Sequence, residues 1–198
     1  MAILVIQHSK NSPIGHLGEA LRRHGQKTRT VRIDEGDRLP ADLNDLHGIV
    51  SLGGPQSAND GDAWVAQEQA LLRDAHAAGI PVLGLCLGAQ MLAKALGGTV
   101  VWKGAACPVQ AFRVGATSYG FPYHPEWTRE TMTAELASMS DSDLAAAGTT
   151  RQAVRDATAE FAADAERRSH RVFETVNSVL FPASRLQPGL VAPGWIHH

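Results

Sequence analysis

The chain alternates between short runs of β-branched or apolar residues and segments whose apolar residues recur at helical spacing. The short runs lie at residues 2–6, 28–33, 47–52 and 81–85. Continuous apolar runs of this length are typical of strands buried on both faces of a sheet. Repeated strand–helix–strand units predict an α/β fold, in which a mostly parallel sheet carries helices on both faces.

Three helices are predicted, two between these strands and one after the fourth, and a glycine follows each of them. The second is expected to begin after Asp62 as its N-cap. Its buried face is expected to consist of Trp64, Gln67, Leu71 and Ala75. The third helix follows the fourth strand directly, from residue 87 to 96.

After Thr99 the pattern changes. Further short strands are predicted at residues 100–102, 109–114 and 118–123. The remainder is mostly helical in pattern, with a long helix predicted over 151–179. We therefore expect an α/β domain over 1–128 and a helical C-terminal extension over 129–198 that packs on the same domain.

Composition narrows the class of protein. The chain has 198 residues, of which 44% are hydrophobic and 19% charged, as expected of a globular domain. A formal net charge of −2 gives no global attraction to nucleic acid or to an anionic membrane. No run approaches the ~18 apolar residues of a membrane span, and the N-terminus lacks the features of a signal peptide. We expect a cytoplasmic protein whose cysteines, Cys86 and Cys107, stay reduced.

The loops at the carboxyl ends of the predicted strands place a candidate site. Ligands of parallel α/β sheets bind beyond these ends. The loops here are Gln7-His8, Gly53-Gly54-Pro55 and the turn at Cys86.

Cys86 lies where the fourth strand ends and a helix begins, with Gly84 and Gly88 two residues to either side. A sharp strand-to-helix turn crowds these flanking positions and exposes a nucleophile at the top of the sheet. The helix N-terminus favours a thiolate, and the N–H of Leu87 would face an oxyanion. The alternative is a small buried core cysteine.

His124 and Glu126 form a second candidate pair. On an extended segment they would project to the same side, so that Glu126 could orient the imidazole of a general base. A surface His-Pro-Glu turn is the alternative. The Gly53-Gly54 pair could offer backbone N–H donors to a ligand, or it could be a plain turn.

Residues 51–55, 81–90 and 119–126 together resemble the three signatures of class I glutamine amidotransferases, in particular stand-alone GMP-synthase-like domains. The resemblance implies a flavodoxin-like, doubly wound sheet and hydrolysis of the glutamine side-chain amide through a thioester. No cofactor or metal ion is expected, since the sequence has neither a phosphate-binding glycine loop nor a paired CxxC motif.

The resemblance also assigns roles by position. Cys86 would be the nucleophile, His124 would carry the proton, and Glu126 would hold His124. The remaining motif positions are those of the oxyanion hole, Gly53, Gly54 and Leu87, and those near the substrate, Gln90 and Gln110.

The sequence departs from the family pattern in two places. Pro122 stands where the family usually has glutamine, and this removes one backbone donor. Only Lys103–Ala106 joins the strand at Val100 to the Cys107 segment, where relatives have pocket-lining strands; the link is either naturally short or the sequence omits a stretch. We expect Cys107 to be a packing residue, and we assign no metal site to His197 and His198.

Three functions remain open at this point. The first is a glutaminase that passes ammonia to an acceptor on a separate synthetase or acceptor-activating protein. A second is a γ-glutamyl hydrolase or peptidase that uses the same triad with water as acceptor. A third is a regulatory or binding module with weak catalysis. The acceptor and the oligomeric state do not follow from the sequence.

Overall fold

The computed structural model describes residues 1–100 and 109–182. The strands are β1 Ala2–Gln7, β2 Thr28–Arg32, β3 Leu46–Ser51, β4 Val82–Leu85, β5 Phe112–Val114 and β6 Ser118–Phe121. The α-helices are α1 Gly15–Arg23, α2 Ala63–Ala77, α3 Leu87–Ala95, α4 Arg129–Ser138, α5 Asp141–Ala146 and α6 Arg151–Leu180. A single 3₁₀ turn, Ile33–Glu35, follows β2.

The six strands form one sheet in the order β2-β1-β3-β4-β6-β5. All neighbouring pairs are parallel except β5 and β6, which are antiparallel. The prediction of a mostly parallel, flavodoxin-like sheet with flanking helices is confirmed.

Both faces of the sheet are covered, so alternate residues of each central strand enter different cores. Leu4 and Ile6 of β1 pack with α2 and α3 on one face. Ile3 and Val5 pack with α1 and α6 on the other. This double burial explains the continuous apolar runs in the sequence.

Several predicted boundaries are wrong by a few residues. The second strand ends at Arg32 because Ile33 opens the 3₁₀ turn. The edge strand β5 begins at Phe112, since only Phe112–Val114 pair with β6, and Val109 is half exposed. The last strand ends at Phe121, where the chain bends at Pro122. Of the strand predicted at 100–102, residues 101 and 102 lie outside the described part.

The predicted face of α2 is also partly wrong. Gln67 is exposed, and the buried residues are Val65, Glu68, Leu71, Leu72 and Ala75. Asp62 does occupy the N-cap position, but its side chain accepts no hydrogen bond from the helix. The helix is therefore rotated relative to the prediction, and a glutamate lies on its apolar face.

The 30-residue helix α6 packs against α1 and completes the second core. Its Phe173 and the following Phe181 are fully buried. A Cβ on Gly48 would lie 2.5 Å from the Phe181 ring, so β3 passes close beneath it. At the rim, Glu174 pairs with Arg23 at 2.7 Å and with His24 at 2.6 Å. The division at residue 128 stays a prediction.

In residues 1–100 and 109–182, none of the helices has the length and apolarity needed to cross a membrane.

Candidate active site

Cys86 joins β4 to α3 in a conformation that side-chain-bearing residues rarely adopt, with φ 50° and ψ −108°. Its N–H donates to the carbonyl of Phe121 at 2.8 Å. A Cβ on Gly84 would lie 2.5 Å from the Gly88 carbonyl oxygen, and one on Gly88 would lie 2.1 Å from that of Ser51. The flanking glycines are thus required by close backbone approach, as the sequence predicts.

The structure brings His124 and Glu126 together in a turn rather than on an extended segment. The His124 Nδ1 lies 2.8 Å from Glu126 Oε1. The Glu126 side chain is fully buried, whereas that of His124 is 19% exposed. The backbone turns between them, with Trp127 N–H facing the His124 carbonyl at 3.5 Å. The predicted contact is therefore present, but its predicted backbone geometry is wrong.

The surroundings of His124 determine its charge. Burial alone would lower the pKa of His124, but its hydrogen bonds to Cys86 and Glu126 and the charges on both raise that pKa to about 9. At neutral pH His124 is an imidazolium between a sulfur and a carboxylate.

Two further residues hold the imidazole in place. The ring of Trp127 stacks on that of His124, with centroids 3.9 Å apart and planes 19° apart. A Cβ on Gly53 would lie only 2.3 Å from His124 Cε1. Sequence reasoning assigned Gly53 to the oxyanion turn and did not consider Trp127, although an aromatic residue directly after a His-x-Glu pair is a detectable signal.

Gly54 lies beside the Leu87 side chain. A Cβ on Gly54 would lie 3.1 Å from Leu87 Cδ2. Within the described part of the chain, neither backbone N–H donates to a protein acceptor. Their role as oxyanion donors stays a prediction.

A buried polar group beneath this site was not predicted from the sequence. His8 Nε2 lies 2.7 Å from Glu68 Oε2, and both side chains are fully buried. Ser51 Oγ donates to Glu68 Oε1 at 2.6 Å, and His8 Nδ1 lies 3.0 Å from the Leu52 carbonyl oxygen. A glutamate in the apolar stripe formed by Val65, Leu71 and Leu72 was the available signal.

The predicted substrate-side residues are less closely associated with Cys86. Gln90 is half-buried in the first turn of α3, where its N–H donates to the Cys86 carbonyl at 3.2 Å. Gln110 is exposed just ahead of β5. Their roles toward substrate stay predictions, and Cys107 and the short link before it lie outside the described residues.

Metal-binding side chains come together elsewhere. In the described part of the chain, His16, Glu166 and His170 have ligand atoms within 4.8 Å of one another at the α1–α6 contact. Arg23 Nη2 lies 3.5 Å from His170 Nδ1, and its charge disfavours a bound cation.

Comparison with known proteins identifies the family of the chain. Residues 9–116, more than half of the chain, match the family model of class-I glutamine amidotransferases. The chain belongs to this family. The match contains Cys86 but ends before His124 and Glu126, which reach the site through the fold.

Relatives of this amidotransferase chain include two proteins named GMP synthase [glutamine-hydrolyzing]. That of Rhodopseudomonas palustris is 39% identical over 84 residues, which cover 42% of this chain and 14% of the relative. That of Petrotoga mobilis is 32% identical over 90 residues, 46% of this chain and 16% of the relative. The chain thus corresponds to a small part of these longer proteins.

The fold is shared with solved amidotransferase structures. A glutamine amido transferase from Methylobacillus flagellatus superposes with a TM-score of 0.78 and 24% identity, covering 100% of this chain and 98% of that one. A glutamine amidotransferase from Thermotoga maritima gives a TM-score of 0.64 at 19% identity, with 91% and 96% coverage.

Proposed function

We propose that the chain is a glutaminase that hydrolyses the side-chain amide of glutamine through a thioester on Cys86. The ammonia would be used by an acceptor on a separate protein. The observation that carries the proposal is His124, which interacts with Cys86 on one side and bonds buried Glu126 at 2.8 Å on the other. This supplies a nucleophile, a proton carrier and a group that orients it.

The steps of glutamine hydrolysis follow from the protonated state of His124. The Cys86 sulfur attacks the amide carbon, and the N–H groups of Gly54 and Leu87 stabilise the oxyanion. The His124 imidazolium gives its proton to the leaving nitrogen, so that ammonia departs and a γ-glutamyl thioester remains. Water then attacks the thioester as neutral His124 accepts its proton, and glutamate leaves with Cys86 and His124 returned to their starting forms.

The proposal is tested by labelling and by product analysis. A glutamine-like chloroketone should alkylate Cys86, as mapped by peptide mass, and glutamine should yield glutamate and ammonia in equal amounts. His124→Gln should slow both reactions, because the sulfur loses its charged partner. His76→Gln is a matched control, since His76 bonds Ser118 at the opposite end of the sheet.

Two results would contradict the proposal. One is alkylation of Cys107 with none at Cys86. The other is equal ammonia release by the wild-type protein and by Cys86→Ala. Glutamate release from γ-glutamyl peptides but not from glutamine would favour the hydrolase or peptidase function instead.

A further inference from the structure

We propose that His8 and Glu68 are positioning residues that hold the turn at Leu52–Gly54, and with it the Gly54 donor, in the geometry required for acyl transfer. The inference rests on the proposed function, because it assigns the pair a part in stabilising the oxyanion.

The pair is notable for its burial. His8 and Glu68 are both fully buried with 2.7 Å between Nε2 and Oε2, and Ser51 satisfies the second carboxyl oxygen. A buried ionic pair is weak evidence for stability, because lost hydration offsets the attraction between the groups. Stability alone therefore gives little reason for placing ionisable side chains beneath the candidate site.

The other ring nitrogen of His8 contacts the turn itself. The Leu52 carbonyl oxygen lies 3.0 Å from His8 Nδ1 and also accepts from Gly88 N–H at 3.0 Å. A carbonyl only accepts, so Nδ1 carries a hydrogen and donates it. Since the peptide unit is planar, two donors on the Leu52 oxygen fix the direction of the Gly53 N–H and the start of the turn.

The backbone of His8 supports the far side of the same turn. Gln56 Nε2 donates to the His8 carbonyl at 3.2 Å. A Cβ on Gly54 would lie 2.6 Å from His8 Cβ and 2.5 Å from Gln56 Oε1. The Gly54 backbone therefore rests directly on His8, and Glu68 sets the His8 ring from behind.

The test separates oxyanion stabilisation from thiol reactivity. Attack of the sulfur on a chloroketone carbonyl gives a tetrahedral oxyanion before chloride leaves and the alkylated product forms, whereas with iodoacetamide the sulfur displaces iodide from the methylene carbon without an oxyanion. The measured quantity is the ratio of the two second-order rate constants at Cys86, together with kcat and KM for glutamine. Thermal unfolding confirms that each variant is folded.

We expect Glu68→Leu to lower the chloroketone rate and kcat by roughly 30- to 100-fold, since losing an oxyanion donor costs about 10²–10³. Its iodoacetamide rate and KM should stay within about twofold, because the sulfur and the substrate contacts are unchanged. Glu68→Gln should be within about threefold of wild type, since an amide can still bond both His8 and Ser51.

If Glu68→Leu does not fold, a comparison of two variants at His8 tests the positioning role instead. Asn places a donor near the Nδ1 position, whereas Gln places one near Nε2. His8→Asn should therefore keep a chloroketone-to-iodoacetamide ratio at least about fivefold higher than His8→Gln. His76→Leu, on the same helix as Glu68 but bonded to Ser118, should leave the ratio unchanged.

The two proposals fail in different ways. Equal loss with both reagents, or folded variants with an unchanged ratio, would overturn the positioning role while leaving the glutaminase intact. A wild-type protein that iodoacetamide labels but the chloroketone does not would overturn the proposed function and this inference with it.

Discussion

Cys86 holds a backbone conformation with φ 50°, outside the regions favoured by residues with a side chain. Such a residue stores about 1–3 kcal/mol of strain and persists because the surrounding structure enforces it. Here the enforcement is visible in the 2.8 Å bond from its N–H to Phe121 and in the close approach of Gly88 to Ser51. The strain exposes the sulfur above the sheet.

The strain is measurable by substitution. Cys86→Gly should be about 1 kcal/mol more stable than Cys86→Ala, because the relief of the positive-φ strain exceeds the greater conformational entropy that glycine loses on folding. Urea unfolding of both variants gives the difference. Ala93→Gly, within α3, is the control and should instead destabilise by about 0.5–1 kcal/mol. A more stable Cys86→Ala would show that the turn carries no strain.

Two glycines of the site should respond differently to a methyl group. At Gly53 the added Cβ would meet the His124 ring, so Gly53→Ala should displace the imidazole and lower kcat by on the order of a hundredfold with a small change in stability. At Gly88 it would meet the Ser51 backbone, which cannot yield, so Gly88→Ala should destabilise by about 2 kcal/mol or more. Denaturation and glutaminase assays on both variants test this contrast, and equal losses of stability would contradict it.

The charge on His124 makes stability depend on pH. The folded-state pKa is about 9 against an ordinary 6.5, so folding favours the protonated ring. The stabilisation is therefore complete below pH 6.5 and is lost as the pH rises through about 9. The difference in unfolding free energy between wild type and His124→Gln, measured from about pH 5.5 to 10, should follow this curve. A difference that grows with pH would reverse the assignment.

At the scale of elements, α6 contributes one wall of the core through a few aromatic side chains. Phe173→Ala should cost about 3–5 kcal/mol, because the ring is fully buried against α1 and the sheet. Phe161→Ala, on the same helix but 57% exposed, should stay within about 0.5 kcal/mol. Chemical unfolding of the two variants provides the comparison, and a small loss at Phe173 would show that α6 is not part of the core.

The sequence pattern was sufficient to predict some helices and strands but not others. The runs at β1, β3 and β4 were predictable because both faces of these strands are buried, which leaves a continuous apolar signature. The buried face of α2 was predicted wrongly because Glu68 interrupts its apolar stripe. When every glutamate is assumed to be exposed, the predicted buried face shifts around the helix. The partner that explains this glutamate, His8, is 60 residues away in sequence, and local patterns carry no information at that distance.

Some features of the candidate site could likewise be predicted from the sequence, and others could not. Gly84, Cys86 and Gly88 were predictable because one turn constrains all three. The contact of His124 with Glu126 was inferred from spacing alone, although the chain makes a turn that spacing does not reveal. The ring contacts of His124 with Trp127 and Gly53 depend on tertiary packing, and only the structure shows them.

For the whole molecule, we expect weak glutaminase activity even if Cys86, His124 and Glu126 act as proposed. Gln90 and Gln110 offer amide groups but no fixed charge for the substrate's carboxylate or ammonium, so binding should be loose and near-attack geometry infrequent. Steady-state ammonia release should show a high KM and slow turnover, while small thiol reagents still reach half-buried Cys86. Saturation at sub-millimolar glutamine with turnover of ~10 s⁻¹ would contradict this and reveal a complete pocket.

The pairing of β6 with β4 also determines where Cys86 and His124 lie relative to each other. Leu85, the residue before Cys86, lies opposite Phe121, which is three residues before His124. A slip of β6 by a single residue would carry the imidazole about 3.3 Å along the strand and turn each β6 side chain to the opposite face. The backbone hydrogen bonds that set the register of these two strands therefore also set the distance between the Cys86 sulfur and the His124 imidazole.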